Sequence, residues 1–535
     1  KIGYKTCRFA QFPDDKKAIM PSVLQELLQQ RSATKKLMKK ETDPFMKNVL
    51  DKRQLSIKLT ANSLYGQCGA KTSSFYEKDV AASTTATGRT LLTYAKRLVE
   101  EVYGDRQCET KNYGPVLTKA EYVYGDSVLG DTPLLLRNKM TGHITFHEIQ
   151  QLGIEQGKKS DHLWQPYEYF KAGESGRYNK EQMMANDFQI YTSSGWSDIR
   201  RVIRHKTTKD IYRITTHTGM VDVTEDHSLL DEHKQIIKPN YAICGTRLLH
   251  HYPNVTCRME TKLALSDFIA YVETSHKAPL DEKRAFIWGF FFGDGSCGKY
   301  NCPSGVKYSW ALNNKSYRLC SRLQHLCQDV YGCLFKINNT IKSSGVYKIV
   351  PSGSIKSFID EFRPICYYNK LKIVPEQYLN ASDNIKIAYL AGYYAADGAK
   401  CLNSKTKNIR LSNKGKIGSA MLFYMFKSIG LNVSINTRKD KPNITSLSIT
   451  SGKLRKCPYA IKKNDLLYKG YTDYVYDIET VEGNFNTGYP LIVKNTDSVF
   501  FTFNLTTMEG EKIIGKKALE ITIELAQEVG ELASH

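Results

Sequence analysis

The sequence predicts a multidomain chain in which α+β segments at both ends flank a long insert that has an all-β part and an α/β part. Three observations lead to this organisation. The length of 535 residues predicts three or four domains. The triplet Tyr124-Gly125-Asp126 and the triplet at 496–498 form one motif, Tyr-Gly-Asp-Thr-Asp-Ser, interrupted by 369 residues. Inside the interruption, residues 287–295 and 390–398 are near-repeats of one apolar, glycine-containing helix.

Composition favours a nucleic-acid partner and excludes several other classes. The formal net charge of +22 indicates a polyanionic partner, although a merely basic soluble protein stays open. Thirteen cysteines without a Cys-x-x-Cys pair indicate neither a disulfide framework nor a zinc site, and they favour a reducing, intracellular compartment. We expect no membrane partner, because no 18-residue apolar run is present. The chain has no initiator methionine, and we expect it to be a fragment.

The N-terminal region predicts two helices with polar stripes. The first, over 17–40, is expected to begin after Pro21 and places Arg31 and Lys35 on one face, for which a solvated basic face is the alternative. The second carries a cation, an amide and an aromatic ring at positions i, i+4 and i+7. Such a stripe suits a nucleotide, with charge for the triphosphate and a flat ring for base and sugar. Its members are Lys58, Asn62 and Tyr65.

This second helix resembles a motif of family B DNA polymerases, closest to the delta-type and large-virus enzymes. The pattern Lys-x-x-x-Asn-Ser-x-Tyr-Gly at 58–66 is followed, after 57 residues, by the interrupted Tyr-Gly-Asp-Thr-Asp-Ser motif. The resemblance implies that Asp126 and Asp497 are catalytic and bind Mg²⁺ in a β-hairpin of the palm. It also implies primer–template DNA and dNTP as partners, and these nucleotide-binding residues in the fingers: Arg31, Lys35, Lys58, Asn62 and Tyr65. We expect the fragment alone not to polymerise DNA, since it lacks an upstream metal-binding motif.

The edges of the insert resemble those of a self-splicing intein with the all-β, horseshoe-shaped Hint fold. The insert starts with a hydroxyl nucleophile, Ser127, and ends with Asn495, which Thr496 follows. Between them, Thr224 and His227 match a Thr-x-x-His element in which the histidine supplies a proton to the first scissile bond. In the family, the asparagine cyclises to cut the chain after itself. A matching Asp477 is expected to shuttle protons near the second junction, and no cofactor is implied.

Two positions depart from this pattern. The penultimate residue of the insert is usually histidine and is Lys494 here, and a second family histidine is replaced by Gly483-Asn484. Lysine does not exchange protons near neutral pH unless its pKa is strongly lowered, and asparagine does not exchange them at all. We therefore expect a slow final step that is prone to side reactions.

The repeated helices resemble the LAGLIDADG helices of homing endonucleases. Small residues let two such helices cross closely, and the pair would bring Asp294 and Asp397 together over DNA, where they would bind Mg²⁺ and catalyse hydrolysis of both strands. The resemblance also implies an α/β domain of two αββαββα-like repeats, with Lys372 near the active site. Residues 304–314 and 331–350 are expected to be strands of the first repeat.

A basic run points to the DNA-binding surface of this endonuclease. Residues 398–439 contain nine Lys/Arg and no Asp/Glu. Apolar and polar residues alternate at 408–412 and 432–436, which suggests strands. The resemblance to homing endonucleases implies that such strands lie in the major groove of double-stranded DNA, at a homing site in the polymerase gene. A solvated face is the alternative. The predicted DNA-binding residues are Lys400, Lys405, Lys407, Arg410 and Arg438.

These patterns and resemblances together divide the chain into five segments. They are a polymerase fingers/palm segment at 1–126, Hint parts at 127–265 and 456–495, an endonuclease at 266–455, and a palm segment at 496–535. We expect a monomeric insert and a host that works in the nucleus or at a viral replication site. The alternatives are a nucleotidyltransferase alone and a DNA-binding module whose endonuclease has decayed.

Overall fold

The computed structural model describes residues 16–70, 72–84, 87, 99, 102–103, 106–110, 112–118, 121–123, 127–152, 164–166, 180–253, 265–303, 305–398, 408–438, 440–454, 456–495, 500–503 and 505–532. The chain divides into two compact units, and the second is continuous in sequence. The first unit combines Lys1–Val123 with Val499–His535, and the second is Tyr124–Ser498. Among the described helices, none is long and apolar enough to span a membrane.

Eleven α-helices are described along their whole length. They are α1 Ile19–Lys40, α2 Pro44–Gly69, α3 Leu265–Thr274, α4 Leu280–Asp294, α5 Tyr317–Tyr331, α6 Ile341–Ser344, α7 Ile355–Cys366, α8 Glu376–Leu379, α9 Asp383–Asp397, α10 Lys416–Ser428 and α11 Gly515–Leu532.

The described strands pair antiparallel throughout. They are β1 Arg106–Thr110, β2 Gly114–Thr118, β3 Glu121–Val123, β4 Val128–Leu129, β5 Pro133–Asn138, β6 Ile144–Glu148, β7 Gln165–Pro166, β8 Lys180–Met183, β9 Phe188–Thr192, β10 Gly195–Lys206, β11 Ile211–Thr216, β12 Met220–Thr224, β13 Leu229–Leu230, β14 Ile236–Ile237, β15 Gly295–Cys302, β16 Gly305–Asn314, β17 Phe335–Thr340, β18 Val346–Pro351, β19 Tyr367–Tyr368, β20 Leu371–Lys372, β21 Ile409–Lys414, β22 Asn432–Arg438, β23 Lys441–Thr450, β24 Ile461–Tyr468, β25 Tyr474–Thr480, β26 Asn484–Asn486, β27 Ile492–Lys494 and β28 Phe500–Thr502.

The first unit contains an antiparallel pair of helices, α1 and α2. Helix α1 begins at Ile19, two residues before Pro21, and not after it. The proline is tolerated because N–H groups in the first turn of a helix have no intrahelical partner. Helix α2 begins with an Asp43 cap, whose carboxylate accepts from the N–H groups of Phe45 and Met46, both at 3.2 Å.

The remainder of the first unit has a small apolar core beside two strand pairs. Strands β1 and β2 form a hairpin, and β3 pairs with β28, so that Val123 lies opposite Phe500. Residues from both sides of the interruption therefore share one strand pair. The core combines residues before and after the second unit: Val99, Tyr103, Val116, Phe503, Leu505, Ile521 and Leu525.

The second unit contains a large sheet built from both ends of its sequence. The strand order is β24-β11-β12-β4-β25-β10-β9-β5-β6, and β8 joins β10 at the side. Strand β4 lies between β12, where Val128 faces Val223, and β25, where Val128 faces Tyr476. A second sheet, β14-β13-β27-β26, contains the last strand before residue 495.

Two helix–sheet repeats fill the middle of the second unit. In the first, helices α4, α5 and α7 alternate with the strands of the sheet β15-β16-β18-β17 in an αββαββα order. The strand expected at 304–314 is β16, whereas the region 331–350 is divided into the end of α5, β17, the short helix α6 and most of β18. In the second, the described elements are α9, β21, α10, β22 and β23, with the sheet order β21-β23-β22. The protein is therefore a multidomain α+β protein.

The repeats and the large sheet share one apolar core. Leu135, Phe146 and Tyr489 of the β-rich part belong to the same buried cluster as helices α4, α9 and α10. The ring of Phe146 lies 5.8 Å from that of Tyr424, and the ring of Tyr489 lies 5.6 Å from that of Phe423. Such close aromatic packing indicates that the two parts are firmly joined.

Candidate active sites

The first residue of the insert is buried where three strands meet. Ser127 is 1% exposed and directly precedes β4. Its carbonyl accepts a hydrogen bond from the N–H of Thr224 at 3.1 Å, which fixes the peptide group between Ser127 and Val128. Its hydroxyl oxygen is buried and has no hydrogen-bond partner among the described residues. An unpaired buried hydroxyl costs stability, so its retention favours a chemical role for this oxygen.

His227 lies on the turn that follows β12 and is fully buried. Its N–H donates to the carbonyl of Thr224 at 3.0 Å, so the same residue holds both Ser127 and the histidine. Burial lowers the pKa of His227 to about 3, although the Asp226 carboxylate and the backbone of Ser127 act in the opposite direction. The imidazole is therefore neutral at neutral pH and lies beside the first residue of the insert.

The last residue of the insert is also buried. Asn495 is 2% exposed, and its side-chain amide donates to the carbonyl of Ile478 at 3.0 Å. Its backbone N–H donates to Gly483 at 3.0 Å. Because Ile478 lies on β25, which pairs with β4, one strand connects the neighbourhoods of Ser127 and Asn495. Asp477, on the same strand, is 2% exposed.

Two repeated glycines allow helices α4 and α9 to touch through their backbones. A Cβ added to Gly289 would overlap the carbonyl oxygen of Tyr389, and one added to Gly392 would overlap that of Phe286. Each glycine is the third residue of its repeat, so the contact is symmetric. Farther along, a Cβ on Gly293 would lie 3.5 Å from a carboxylate oxygen of Asp397. The helices therefore converge on their acidic ends.

Lys372 lies at this acidic end. Its ammonium group donates to the carbonyls of Phe291 and Gly293, both at 2.8 Å. Burial lowers the pKa of Lys372 to about 8, against the attraction of Asp397 and Asp294. Burial also raises the pKa of Asp397, and Lys372 opposes that shift. The carboxylate of Asp294 accepts from the amide of Asn314 at 3.1 Å.

This end of the helix pair fits Mg²⁺ through its donor chemistry. Mg²⁺ prefers oxygen ligands and is commonly held by one or two carboxylates together with substrate phosphates and water. Asp294 and Asp397 supply two such carboxylates. Within the described parts of the chain, no group of three or more His, Cys, Asp or Glu could hold a metal ion by itself. DNA phosphates would therefore have to complete the coordination.

The predicted DNA-binding residues are only partly described. Arg410 is exposed on β21, whose side chains alternate between buried and exposed. Arg438 is exposed at the end of β22 and its guanidinium pairs with Asp440, with Nε at 2.9 Å from a carboxylate oxygen. Lys400, Lys405 and Lys407 lie outside the described residues.

The predicted polymerase residues belong to the first unit or lie outside the description. On α1, Arg31 donates to Gln54 of α2 at 3.3 Å, and Lys35 is exposed. On α2, Lys58 and Asn62 are exposed one turn apart. The backbone of Tyr65 continues α2, but its side chain lies outside the description. Asp126, Thr496 and Asp497 also lie outside the described residues.

Sequence reasoning missed one buried ionic cluster. Asp222 is fully buried between Arg213, its cross-strand neighbour, and Lys416 of α10. Lys416 is one of the nine basic residues at 398–439, and nothing in that run distinguishes it from the others. The apolar neighbours Val221 and Val223 would by themselves place Asp222 on a solvated face, so no sequence signal marks the buried charge.

Comparisons with known proteins show which proteins the chain is similar to. Residues 2–140 match the family described as DNA polymerase family B. The DNA polymerase of Acanthamoeba polyphaga mimivirus is 42% identical over 526 residues, covering 96% of this chain and 28% of that protein. The DNA polymerase of Phaeocystis pouchetii virus is 64% identical over 126 residues, covering 24% of this chain and 12% of that protein. The chain is therefore similar to family B DNA polymerases of viruses.

These relatives are much longer than the chain, which spans 28% and 12% of their lengths. Among solved structures, variants of the homing endonuclease I-DmoI match with a TM-score of 0.26 and 19% identity, over 32% of this chain and 89% of theirs. The N-terminal LAGLIDADG domain of DUF199/WhiA matches with a TM-score of 0.23 and 17% identity, over 36% of this chain and 89% of that chain.

Proposed function

We propose that residues 127–495 form a self-splicing insert, which excises itself and joins its flanks with a peptide bond. The observation that carries the proposal is the burial of both Ser127 and Asn495 next to one strand, β25, with His227 beside Ser127. This placement allows both ends of the insert to take part in one reaction.

The first step is an N–O acyl shift at Ser127. Its Oγ attacks the carbonyl carbon of Asp126, the carbon–nitrogen bond breaks, and an ester forms while the nitrogen gains the proton. We assign that proton transfer to His227, whose neutral imidazole lies next to the peptide group. The hydrogen bond from Thr224 keeps the carbonyl of Ser127 fixed during the attack.

Transfer and release follow at the other end. The hydroxyl of Thr496 attacks the ester, and Ser127 leaves as a free hydroxyl. The side-chain nitrogen of Asn495 then attacks its own carbonyl carbon, which forms a succinimide and frees the nitrogen of Thr496. A final O–N shift gives the peptide bond between Asp126 and Thr496. Asp477, buried one residue before Ile478, is assigned the proton transfers of this stage.

The coverage of the relatives supports an insert. One viral polymerase aligns with 96% of the chain, whereas another, more similar over its matched part, aligns with 24%. A relative that matches at high identity over only a quarter of the chain is expected if the host sequence occurs both with and without the insert.

We further propose that the two repeats form a homing endonuclease that cuts double-stranded DNA encoding the uninterrupted polymerase motif. Mg²⁺ bound by Asp294 and Asp397 would activate water and stabilise the leaving oxygen. Lys372 would hold positive charge at the scissile phosphate and fix the end of α4 through its two carbonyl bonds. The flanks belong to a nucleotidyltransferase that uses primer–template DNA and dNTP. A decayed endonuclease that only binds DNA is the second candidate.

Expression of the 535-residue chain followed by intact mass measurement tests the splicing proposal. A 369-residue insert and a 166-residue ligated flank are expected. The double variant Ser127→Ala, Asn495→Ala should leave the precursor whole, because each residue is the nucleophile of its own cleavage. Ligated flank in the double variant, or no processing of the parent, would overturn the proposal.

A further inference from the structure

A cluster of four charged side chains, three of them buried, connects the helix–sheet repeats to the strands around Ser127. The ammonium of Lys416 lies 2.6 Å from a carboxylate oxygen of Asp222 and also pairs with Asp131. Arg213 holds Asp222 from the other side, with nitrogen–oxygen distances of 2.7 and 2.6 Å. The side chains of Asp222, Arg213 and Lys416 are 0%, 5% and 10% exposed, so water screens the two pairs with Asp222 little. Asp131 is 47% exposed, and water screens its pair with Lys416 more.

The partners of Lys416 lie on both sides of the first residue of the insert. Asp131 belongs to the turn directly after β4, four residues beyond Ser127. Asp222 lies on β12, whose last residue, Thr224, donates to the carbonyl of Ser127. One ammonium group therefore joins the turn that follows β4 to the strand that binds the carbonyl of Ser127.

Electrostatic attraction to Asp222 and Asp131 keeps Lys416 charged, and this charge is what connects β12 to the turn after β4. Burial works to raise the pKa of Asp222, but Lys416 and Arg213 together hold it well below its ordinary value. Burial likewise works to lower the pKa of Lys416, but Asp222 and Asp131 hold it above its ordinary value. Removing one member would leave a buried charge uncompensated, which is far more costly than losing a surface pair.

Other contacts fix Lys416 and strand β23 of the repeats against the β-rich part. The guanidinium of Arg213 also donates to the carbonyl of Pro442, on β23, at 2.6 Å. The hydroxyl of Tyr489 reaches the carbonyl of Lys416 at 3.5 Å. Gly415, directly before α10, has a φ of 95°, which aims the first turn of the helix at the cluster.

We propose that Lys416, contributed by the endonuclease repeats, is a positioning residue for the first step of splicing. It holds the β4 turn and β12 at a fixed separation, so that the Ser127 hydroxyl stays aimed at the Asp126 carbonyl. This inference rests on the proposed splicing function and extends it, because it makes the nuclease part of the insert a structural partner of the reaction.

The test measures the two ends of the reaction separately in the full-length chain. With Asn495→Ala and Thr496→Ala, hydroxylamine cleaves only the ester at Ser127 and so reports the first step. With Ser127→Ala, cleavage after Asn495 reports the last step. Lys416→Met should slow the first readout at least about tenfold and change the second by less than about twofold, because only the first depends on the orientation of the nucleophile.

Matched variants distinguish positioning from a general loss of folding. Lys416→Arg keeps the charge and should restore most of the rate, whereas Lys356→Met removes an exposed lysine near the start of α7 and should change nothing. Asp131→Asn leaves the buried Lys416–Asp222 pair intact and should still slow the first step.

The possible results separate this inference from the function on which it rests. Absence of both cleavages in the parent backgrounds would refute splicing itself. Parent-like ester formation in Lys416→Met and Asp131→Asn would refute the positioning role alone. Equal loss of both readouts, with no rescue by Lys416→Arg, would also refute it and show that the cluster serves only to fold the insert.

Discussion

Asn484 and Lys494 lie directly opposite each other on the antiparallel strands β26 and β27. These are the two positions at which the sequence departs from the intein pattern, and they adjoin the last residue of the insert. Asn484 already has local partners: its carbonyl oxygen accepts from the N–H of Ser193 and its amide donates to Glu482, both at 2.9 Å. Asn484 is therefore tied to the backbone. Lys494 directly precedes Asn495, so it is the position at which we would restore a proton-exchanging side chain.

The variant Lys494→His should accelerate cleavage after Asn495 by about three- to tenfold, because imidazole exchanges protons near neutral pH. The rate is measured by gel or mass in the Ser127→Ala chain. Asn484→His is the matched control, since it loses both local hydrogen bonds and should slow the same cleavage. A slower Lys494→His or a faster Asn484→His would contradict this division of roles.

Asp126 should cause premature release of the N-terminal flank. Once its carbonyl is an ester, its own carboxylate can attack that carbonyl and cut the flank off before ligation. We expect N-terminal cleavage beside splicing in the parent, and Asp126→Asn should reduce it at least about threefold by removing the stronger nucleophile. Intact mass gives the ratio of ligated to unligated flank, and an unchanged ratio would show that the carboxylate does not reach the ester.

Acid should destabilise the insert through His227. Free imidazole takes up a proton near pH 6.5, whereas the buried ring has a pKa of about 3. Between these values the unfolded chain binds more protons, so the free energy of unfolding falls as the pH drops from 6.5 towards 3, by on the order of 4 kcal/mol.

Urea unfolding of the non-splicing double variant at pH 6.5 and 4.5 measures this loss. Tryptophan fluorescence reports on the insert, because all four tryptophans lie at 164–310. His227→Gln should flatten the pH dependence, while His233→Gln, at an exposed position, should not change it. A dependence that is the same in both variants would assign the acid sensitivity to other groups.

The glycine contact between α4 and α9 should be essential for the endonuclease part. Gly289→Ala or Gly392→Ala would force a methyl group onto a carbonyl of the other helix and should cost about 3 kcal/mol of unfolding free energy. Gly353→Ala, where a Cβ meets nothing within 4 Å, is the neutral control. Thermal unfolding monitored by circular dichroism checks all three, and a parent-like Gly289→Ala would contradict the close crossing.

Neutralising the acidic residues at the ends of α4 and α9 should abolish cutting of DNA but leave its binding largely unchanged. Asp294→Asn and Asp397→Asn should each abolish cleavage of duplex carrying the uninterrupted coding sequence in Mg²⁺, and change DNA affinity by less than about threefold. Gel shift and cleavage assays on the excised insert measure both. A variant that still cuts would refute the metal role, and a parent that binds but never cuts would favour the decayed nuclease.

The sequence predicted much of the helix pair but little of the ionic cluster. Apolar periodicity and two glycines at equal positions were enough to predict helices that cross closely, and Gly289 and Gly392 make that contact. A single charged residue does not create a periodic sequence pattern, so nothing distinguished Lys416 from the other basic residues at 398–439. Its partner Asp222 lies nearly two hundred residues earlier, and only the fold brings the two together.

The pairing of β3 with β28 has a consequence for the host protein. Val123 and Phe500 already face each other while the insert is present, so the interruption occupies the tip of a hairpin and not its strands. Hairpin tips accept whole domains because no ladder hydrogen bond is lost. Excision would then shorten a connection between strands that are already in register, and the host could complete its folding before the insert leaves.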